Sequence, residues 1–185
     1  SHDQKSDCSR TITLNKNGGS GTIQGKTGTA NASIVCYEGI ACDFGSASSL
    51  VPTSGGYKMS GGWGTTASCT STTTSFTTPT LSTYYACKNT CSYTNSTSAT
   101  PSSNVCAGTC NTGYSTSGGT NTGTSASCSG TTCSCSAKIY SCAAGKYLDG
   151  TSCVTCDANY YCVGGDFTYN GGIQGRESCS VVLCL

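Results

Sequence analysis

Short runs of alternating apolar and polar residues, separated by glycine-rich turns, occupy the first third of the chain. Residues 11–14 (TITL) alternate, the Asn-Gly-Gly sequence at 17–19 interrupts them, and the alternation resumes at 22–24. A period of two is typical of half-buried strands, and Asn-Gly favours a hairpin turn because both of its residues tolerate positive φ. The same pattern predicts further strands at 34–37 and 57–59.

The pattern changes at residue 70, where threonine and serine replace the alternating apolar residues. Threonine favours extended backbone, whereas Pro79 disfavours a central strand, so residues 70–86 are predicted to be a linker or an exposed strand. Beyond them, tyrosines repeatedly come shortly before cysteines, as at Tyr140 and Cys142. The predicted organisation is a flexible arm at 1–7, a strand-rich module at 8–69, the 70–86 segment and a cysteine-rich repeat region at 87–185.

The composition leaves little apolar surface for a core. The 185 residues include 30 Ser, 31 Thr and 25 Gly, but few Leu, Ile, Val or Phe. Burial contributes roughly 25 cal/mol per Å² of apolar surface, so a small core offsets little of the chain entropy that folding removes. The 17 cysteines offer an alternative, since a disulfide that closes about 15 residues stabilises a fold by about 3 kcal/mol. The chain is therefore predicted to be mainly β and disulfide-rich.

An odd number of cysteines leaves at least one without an intramolecular partner. Cys8, beside the N-terminal arm, and Cys184, beside the C-terminus, are the candidates for an intermolecular disulfide on position alone. The other cysteines are candidates for intramolecular disulfides: Cys36, Cys42, Cys69, Cys87, Cys91, Cys106, Cys110, Cys128, Cys133, Cys135, Cys142, Cys153, Cys156, Cys162 and Cys179. Sequence does not give the connectivity, and loop length alone favours the pairs Cys36–Cys42, Cys142–Cys153 and Cys162–Cys179.

Few side chains offer catalytic or metal-binding chemistry. The single histidine, His2, lies in a polar tail, and a serine or cysteine nucleophile without a positioned base is inert near neutral pH. The eight acidic residues are scattered along the chain, so no enzyme activity and no cofactor are predicted. The cysteines of the motifs at 133–135 and 153–156 could supply zinc thiolates, but disulfides are favoured in an oxidising compartment and no metal is predicted.

The same cysteines indicate where the protein resides. Disulfides at this density persist in an oxidising compartment, so an extracellular or cell-surface protein is predicted. The chain begins at Ser1 without an initiator Met, which predicts a secreted chain whose signal peptide has been removed. No run approaches the roughly 18 apolar residues of a membrane span. Nine basic and eight acidic residues nearly cancel, which disfavours nucleic acid as a partner. The sequons at Asn31 and Asn95 are candidate glycosylation sites.

Two segments of the first module carry a resemblance to a known family. Residues 12–19 (ITLNKNGG) and 55–63 (GGYKMSGGW) resemble the internalin-type B repeat, a small β-grasp-like module of bacterial surface proteins. In that repeat a strand and an Asn-Gly-Gly turn precede a closing strand of the pattern Gly-Tyr-x-Phe-x-Gly-Trp. Met59 stands where an aromatic residue is usual, and an extra glycine precedes Trp63. The resemblance implies a β-grasp-like module at 8–69, to which cysteines have been added.

A second resemblance covers the cysteine-rich region. Residues 142–165 follow the pattern Cys-x10-Cys-x2-Cys-x5-Cys-Val-Gly-Gly, which is similar to the cysteine-rich repeats of growth-factor-receptor and ephrin-receptor ectodomains. Units of that kind contact mainly their neighbours along the chain, so the resemblance implies an elongated array of short-stranded repeats.

These features favour a non-enzymatic structural protein of a bacterial-type cell surface, either an adhesin segment or a subunit of a self-assembling filament stabilised by disulfides. Unpaired strand edges and the odd cysteine favour copies of itself as the partner, with host or surface glycans as further partners. The alternative is a carbohydrate- or protein-binding ectodomain of the lectin or receptor type. Trp63 is then the candidate ligand-stacking residue, although a core aromatic is the commoner role for a lone tryptophan.

Overall fold

The computed structural model describes residues 8–180, which form short strands joined by turns, with a single 3₁₀ turn at Ala47–Ser49. Within this range there is no α-helix, and hence no helix long and apolar enough to cross a membrane. The prediction of a mainly β, disulfide-rich fold is confirmed. The described chain divides into two compact units, the first made of 8–92, Ser98–Ala107 and Ser129–Thr132, and the second of Tyr93–Thr97, Gly108–Cys128 and 133–180.

A mixed four-stranded sheet is the framework of the first unit. The strands of this unit are β1 (Ser9–Asn15), β2 (Gly19–Ser20), β3 (Ala32–Tyr37), β4 (Ala41–Asp43), β5 (Val51–Pro52), β6 (Tyr57–Gly64), β7 (Ser75–Thr77) and β8 (Thr83–Thr90). The sheet has the order β3–β1–β8–β6, in which β1 and β8 are parallel and the other neighbours antiparallel. This mixed sheet is covered by the 3₁₀ turn against β6 and by the β2–β5 and β4–β7 ladders.

The alternation read from the sequence defines the core face of this sheet. Ile12 and Leu14 on β1 are fully buried, and their neighbours Thr11 and Thr13 face outward. Phe44 packs at the centre of an aromatic cluster with Trp63, Phe76 and Tyr84. Such edge and stacked ring contacts contribute about 0.5–1.5 kcal/mol each beyond area burial, so a small number of aromatic residues gives this unit a core.

The glycines before Trp63 have a packing reason. Gly61 has a φ of 97°, and a Cβ atom on Gly62 would lie 2.3 Å from the Thr72 carbonyl carbon. Residues 71–73 run beside β6 at this point, where the Trp63 N–H donates to the Thr73 carbonyl at 2.9 Å and the β6–β8 register shifts. The extra glycine of the sequence therefore permits both the bulge and the close approach of the neighbouring segment.

The segment 70–86, predicted to be a linker or an exposed strand, contains strand residues, some of them exposed and some buried. It contains β7, which pairs with β4, and the first half of β8, which is a central strand of the main sheet. Pro79 lies between these two strands and so interrupts neither of them. Tyr84 is buried in the aromatic cluster, and this segment therefore belongs to the core of the first unit.

Lys16 is a buried cation in the turn that follows β1, with 1% of its surface exposed. Its ammonium donates to the main-chain carbonyls of Gly21, Lys26 and Gly28 at 2.6, 2.7 and 2.7 Å. Burial, and to a smaller extent the positive charge of Lys26, lower the pKa of Lys16. Three carbonyl acceptors satisfy all three N–H donors of the ammonium, which ties the 21–28 loop to the end of β1.

The remaining strands are short and form separate ladders. They are β9 (Ser92–Thr94), β10 (Ser96–Ser98), β11 (Gly108–Cys110), β12 (Tyr114–Ser115), β13 (Ser127–Ser129), β14 (Thr132–Ser134), β15 (Ser136–Ala137), β16 (Ile139–Cys142), β17 (Lys146–Asp149), β18 (Ser152–Thr155), β19 (Tyr160–Tyr161), β20 (Gly165–Thr168), β21 (Ile173–Gln174) and β22 (Glu177–Ser178). The ladders are β10–β11, β12–β15, β13–β14–β9, β16–β20, β18–β17–β21 and β19–β22.

Cysteines are the majority of the buried apolar side chains of the second unit. Its buried apolar side chains are four cysteines together with Tyr147 and Leu148. Near β17, the Arg176 guanidinium lies over the rings of Tyr147 and Tyr160 and donates to the Asp157 carboxylate at 2.9 Å. Desolvation lowers the pKa of Arg176, but the hydrogen bond to Asp157 and the two tyrosines together outweigh it, so that the pKa of Arg176 is raised. The disulfides and the stacked Arg176 side chain therefore stabilise this unit in place of a larger apolar core.

Candidate functional site at the Cys8 end of the main sheet

Cys8 is the free thiol among the described cysteines, and it is exposed. Seven disulfides join fourteen of the other described cysteines in pairs, and the fifteenth, Cys179, is disulfide-bonded as well. The seven are Cys36–Cys42, Cys69–Cys87, Cys91–Cys106, Cys110–Cys135, Cys128–Cys133, Cys142–Cys153 and Cys156–Cys162. The candidate intermolecular cysteine Cys8 therefore carries a thiol that is available to another molecule, whereas Cys184 lies outside the described residues.

The pairing also resolves the local alternatives left by the sequence. Cys36–Cys42 and Cys142–Cys153 are present as loop length favoured. Cys162 bonds to Cys156 and not to Cys179, because the turn between them brings their Cα atoms to 5.9 Å, well within disulfide range. The two cysteines of each short motif, 133–135 and 153–156, belong to different disulfides. Neither motif therefore retains a thiolate pair for zinc.

Register on the main sheet places Cys8 opposite Glu38. The β1–β3 ladder pairs Ser9 with Tyr37 and Arg10 with Cys36, and the Glu38 N–H donates to the Cys8 carbonyl at 2.9 Å. Cys8, Arg10, Cys36 and Glu38 have the parity of the core residue Ile12, so they point to the same face of the sheet. Cys36 is buried at the end of the core, whereas Cys8, Arg10 and Glu38 lie beyond it, where that face opens to solvent.

A surface cleft of about 300 Å³ adjoins the thiol. Its lining residues are Cys8, Ser9, Arg10, Cys36, Tyr37, Glu38, Thr78 and Pro79. The Arg10 guanidinium donates to the Thr80 carbonyl, and the Gly39 N–H donates to the Thr78 hydroxyl at 3.0 Å, so the cleft walls are held by bonds between β1, the turn after β3 and the segment before β8. The thiol thus lies beside one positive and one negative side chain on an ordered surface.

The chemistry open to this arrangement is thiol–disulfide exchange or oxidative coupling. A thiolate attacks a disulfide sulfur only where it can be reached, and access is the property that distinguishes Cys8 from the bonded cysteines. Cys36 is 3% exposed and Cys42 is 8% exposed, so the nearby disulfide lies under the cleft surface. The site is therefore suited to one covalent bond with an external partner.

The other predicted site residues fall elsewhere. Trp63 is fully buried, and its indole N–H donates to the Gly45 carbonyl at 2.8 Å. Trp63 therefore has no exposed surface on which a ligand could stack, and the core role is the one that the structure shows. Asn31 is exposed where β3 begins, whereas the exposed Asn95 donates its side-chain amide to the Cys135 carbonyl at 3.1 Å. Across residues 8–180, no group of three or more His, Cys, Asp or Glu side chains is arranged to hold a metal ion.

Arg10 and Glu38 were missed by sequence reasoning, which identified Cys8 by its position alone. The strand period of two could have identified Arg10. Cys8 and Arg10 continue the series of every second residue that includes Ile12 and Leu14, so all four lie on the same face of β1. Glu38 required the β1–β3 register, which no local pattern specifies.

Comparison with known proteins gives no further assignment. No protein-family model matches the chain, and no curated protein or solved structure gives a significant match to it. The resemblances to the internalin-type B repeat and to receptor-type cysteine-rich repeats therefore stay predictions, and the geometry of the described residues carries the proposals that follow.

Proposed function

We propose that this chain is a non-enzymatic structural segment of an extracellular cell-surface protein, used as an adhesin segment or filament subunit, and that Cys8 joins it covalently to a second copy. The single observation that carries the proposal is the exposed thiol of Cys8 in a structure whose other described cysteines are bonded. In an oxidising compartment a small disulfide such as oxidised glutathione is the two-electron oxidant. The Cys8 thiolate of one copy attacks it and releases one thiol, and the Cys8 thiolate of a second copy then displaces the other thiol to form the Cys8–Cys8 bond.

The disulfide framework supports the same proposal. Seven disulfides among the described residues are compatible with an extracellular or secreted protein, since the cytosol of most organisms keeps cysteines as reduced thiols. A chain with a small core and many cross-links resists unfolding by constraining its unfolded state, which suits a structural role at a surface.

The test is the mass of the purified protein under denaturing conditions, with and without reductant. The wild-type protein is expected to contain a disulfide-linked dimer, and Cys8→Ser is expected to contain none. Ser9→Ala, which alters the adjacent exposed residue and leaves the thiol in place, is the matched control and should retain the dimer. Peptide mapping of the dimer should identify a Cys8–Cys8 linkage.

Two outcomes would contradict the proposal. The first is a wild-type protein that stays monomeric after exposure to oxidised glutathione. The second is a dimer that persists in Cys8→Ser. A monomer that binds one glycan reversibly, without any effect of reductant, would instead support the alternative of a lectin-like or receptor-like ectodomain.

A further inference from the structure

We infer that Asn170 is a site of spontaneous deamidation, at which the main-chain nitrogen of Gly171 displaces the side-chain amide and leaves aspartate or isoaspartate. The chain contains two Asn-Gly-Gly sequences, at 17–19 and at 170–172. Sequence alone gives both asparagines the same reactivity, because the glycine that follows each one has no side chain to shield the attacking nitrogen. The folded structure separates the two sites, since it leaves Asn170 open to the reaction and holds Asn17 against it.

The reacting atoms of the second sequence are accessible. Asn170 lies in the turn between β20 and β21, and Asn170, Gly171 and Gly172 are all exposed. No described residue accepts a hydrogen bond from the Asn170 side-chain nitrogen or from the Gly171 N–H. The nitrogen that attacks and the nitrogen that leaves are therefore both open to water, and no hydrogen bond between protein groups has to break before they react.

The Gly172 N–H activates the carbonyl group that is attacked. It donates to Oδ1 of Asn170 at 2.8 Å, so the side chain is folded back over the main chain that follows it. When the Gly171 nitrogen adds to Cγ, Oδ1 takes the negative charge of the tetrahedral intermediate. A fixed donor at about 2.7–3.1 Å from such an oxygen stabilises that intermediate. The turn therefore both orients the side chain and lowers the barrier to attack.

Water is the only co-reactant that the reaction needs. The Gly171 nitrogen loses its proton to water and bonds to Cγ of Asn170. The Cγ–Nδ2 bond then breaks, the leaving nitrogen takes up a proton and departs as ammonia, and a cyclic imide remains. Water opens this ring at either carbonyl carbon, which gives isoaspartate when the main-chain carbonyl is attacked and aspartate when the side-chain carbonyl is attacked. Each product carries a carboxylate where Asn170 is neutral.

Hydrogen bonds hold the corresponding atoms at Asn17. Its side-chain nitrogen donates to the carbonyls of Ala67 and Ala86, both at 2.8 Å, so both of its N–H donors are used. The peptide after it is held as well, because the Gly18 carbonyl accepts the Thr53 N–H at 2.9 Å and the Thr53 hydroxyl at 2.8 Å. Imide formation would break the bonds of the leaving nitrogen and turn the Gly18 peptide away from Thr53. The fold therefore opposes the reaction at Asn17.

Isoaspartate at position 170 is expected to loosen the ladder that follows it. The Gly172 carbonyl accepts the Gly150 N–H at 3.1 Å, and Ile173 of β21 pairs with Asp149 of β17. Isoaspartate adds one methylene group to the main chain directly before these contacts, so the register of β21 against β17 is disturbed. In an extracellular protein the change would accumulate with the age of the molecule. That last consequence, though not the deamidation itself, rests on the location proposed above.

The test follows both Asn-Gly-Gly sites in the same sample. The purified protein is incubated at mildly alkaline pH, which favours loss of the Gly171 proton, and is then reduced and digested with trypsin. The tryptic peptides 17–26 and 147–176 report the two sites, and mass spectrometry with fragmentation identifies aspartate and isoaspartate. In the folded protein, residue 170 is expected to react at least about tenfold faster than residue 17. In the reduced protein in guanidinium the two rates should be similar, because the protecting contacts are gone.

Asn170→Gln removes the reactive side chain and should abolish deamidation at residue 170 while leaving the rate at Asn17 unchanged. Asn121→Gln is the matched control, because Asn121 is exposed in a turn and accepts the Gly123 N–H at 2.7 Å but is followed by threonine. It should leave the rate at residue 170 unchanged. Hydrogen exchange of the Gly150 N–H should be faster in the modified fraction of the wild-type protein.

Equal rates at Asn17 and Asn170 in the folded protein would overturn the inference. Faster reaction at Asn17 would do the same, as would an intact Asn170 in folded protein after the unfolded sample has been converted. The measurement uses neither Cys8 nor its dimer, so its outcome is separate from that of the covalent-dimer test.

Discussion

Replacing Lys16 with methionine tests whether a buried cation holds the 21–28 loop in place. Methionine keeps most of the apolar stem, so the packing of the side chain changes little, and the ammonium with its three hydrogen bonds is what disappears. The Lys26 carbonyl keeps a bond from the Ile23 N–H and the Gly28 carbonyl keeps one from the Gly21 N–H. The Gly21 carbonyl loses the only donor that the described residues offer it.

These contacts set the expected size of the effect. The Gly21 carbonyl, left without a donor, costs about 1–3 kcal/mol. The Lys26 and Gly28 carbonyls each lose one of two bonds and add a smaller cost. Part of this loss is offset, because the variant no longer removes a charged ammonium from water. We expect the free energy of unfolding to fall by about 2–4 kcal/mol. Guanidinium unfolding under non-reducing conditions, followed by the fluorescence of Trp63, measures it in the unit that contains both residues.

Lys26→Met is the matched control for this variant. Lys26 is exposed and contributes its main-chain carbonyl, not its ammonium, to the cluster, so the same substitution there should change the free energy of unfolding by about 0.5 kcal/mol or less. If Lys16→Met and Lys26→Met were equally stable, the three carbonyl contacts would contribute nothing net, and the argument for the loop would be refuted.

Three further predictions concern other parts of the molecule. Asn104→Ala removes both bonds to Met59 and should destabilise the first unit by about 1–3 kcal/mol in the same unfolding assay; an unchanged midpoint would show that water replaces the amide. Removing the Cys142–Cys153 disulfide by double substitution to alanine frees a loop of sequence separation 11 and should cost about 3 kcal/mol, measured by circular dichroism on thermal unfolding. Secretion from a eukaryotic host should give a glycan at Asn31 but not at Asn95, whose amide is bonded to Cys135, and mass spectrometry of the tryptic peptides decides between them.

Local sequence was sufficient for the outline of the fold. Alternation at 11–14 predicted which residues of β1 face the core, since side chains in a strand point alternately to its two sides. Short loops predicted two of the disulfides because cysteines a few residues apart meet whenever the intervening chain turns. The scarcity of large apolar residues predicted a fold that depends on cross-links, and the second unit follows that prediction.

Long-range pairing decided the features on which the function depends. The sequence predicted a linker or an exposed strand at 70–86, because threonine favours extended backbone but Pro79 disfavours a central strand. The position between β1 and β6 nevertheless gives β8 hydrogen-bond partners on both sides. The sequence left Trp63 as either a core aromatic or a ligand-stacking residue, and the contacts with Phe44 and Gly45 place it in the core.

The odd cysteine also separates what the sequence determines from what the tertiary structure decides. Counting the sulfurs established that one would lack an intramolecular partner, because disulfides form in pairs. Only the folded structure identified Cys8 as free and placed Arg10 and Glu38 beside it. The composition states how many cysteines need a partner. Which cysteines find one depends on distances between sulfur atoms that exist only once the strands have paired.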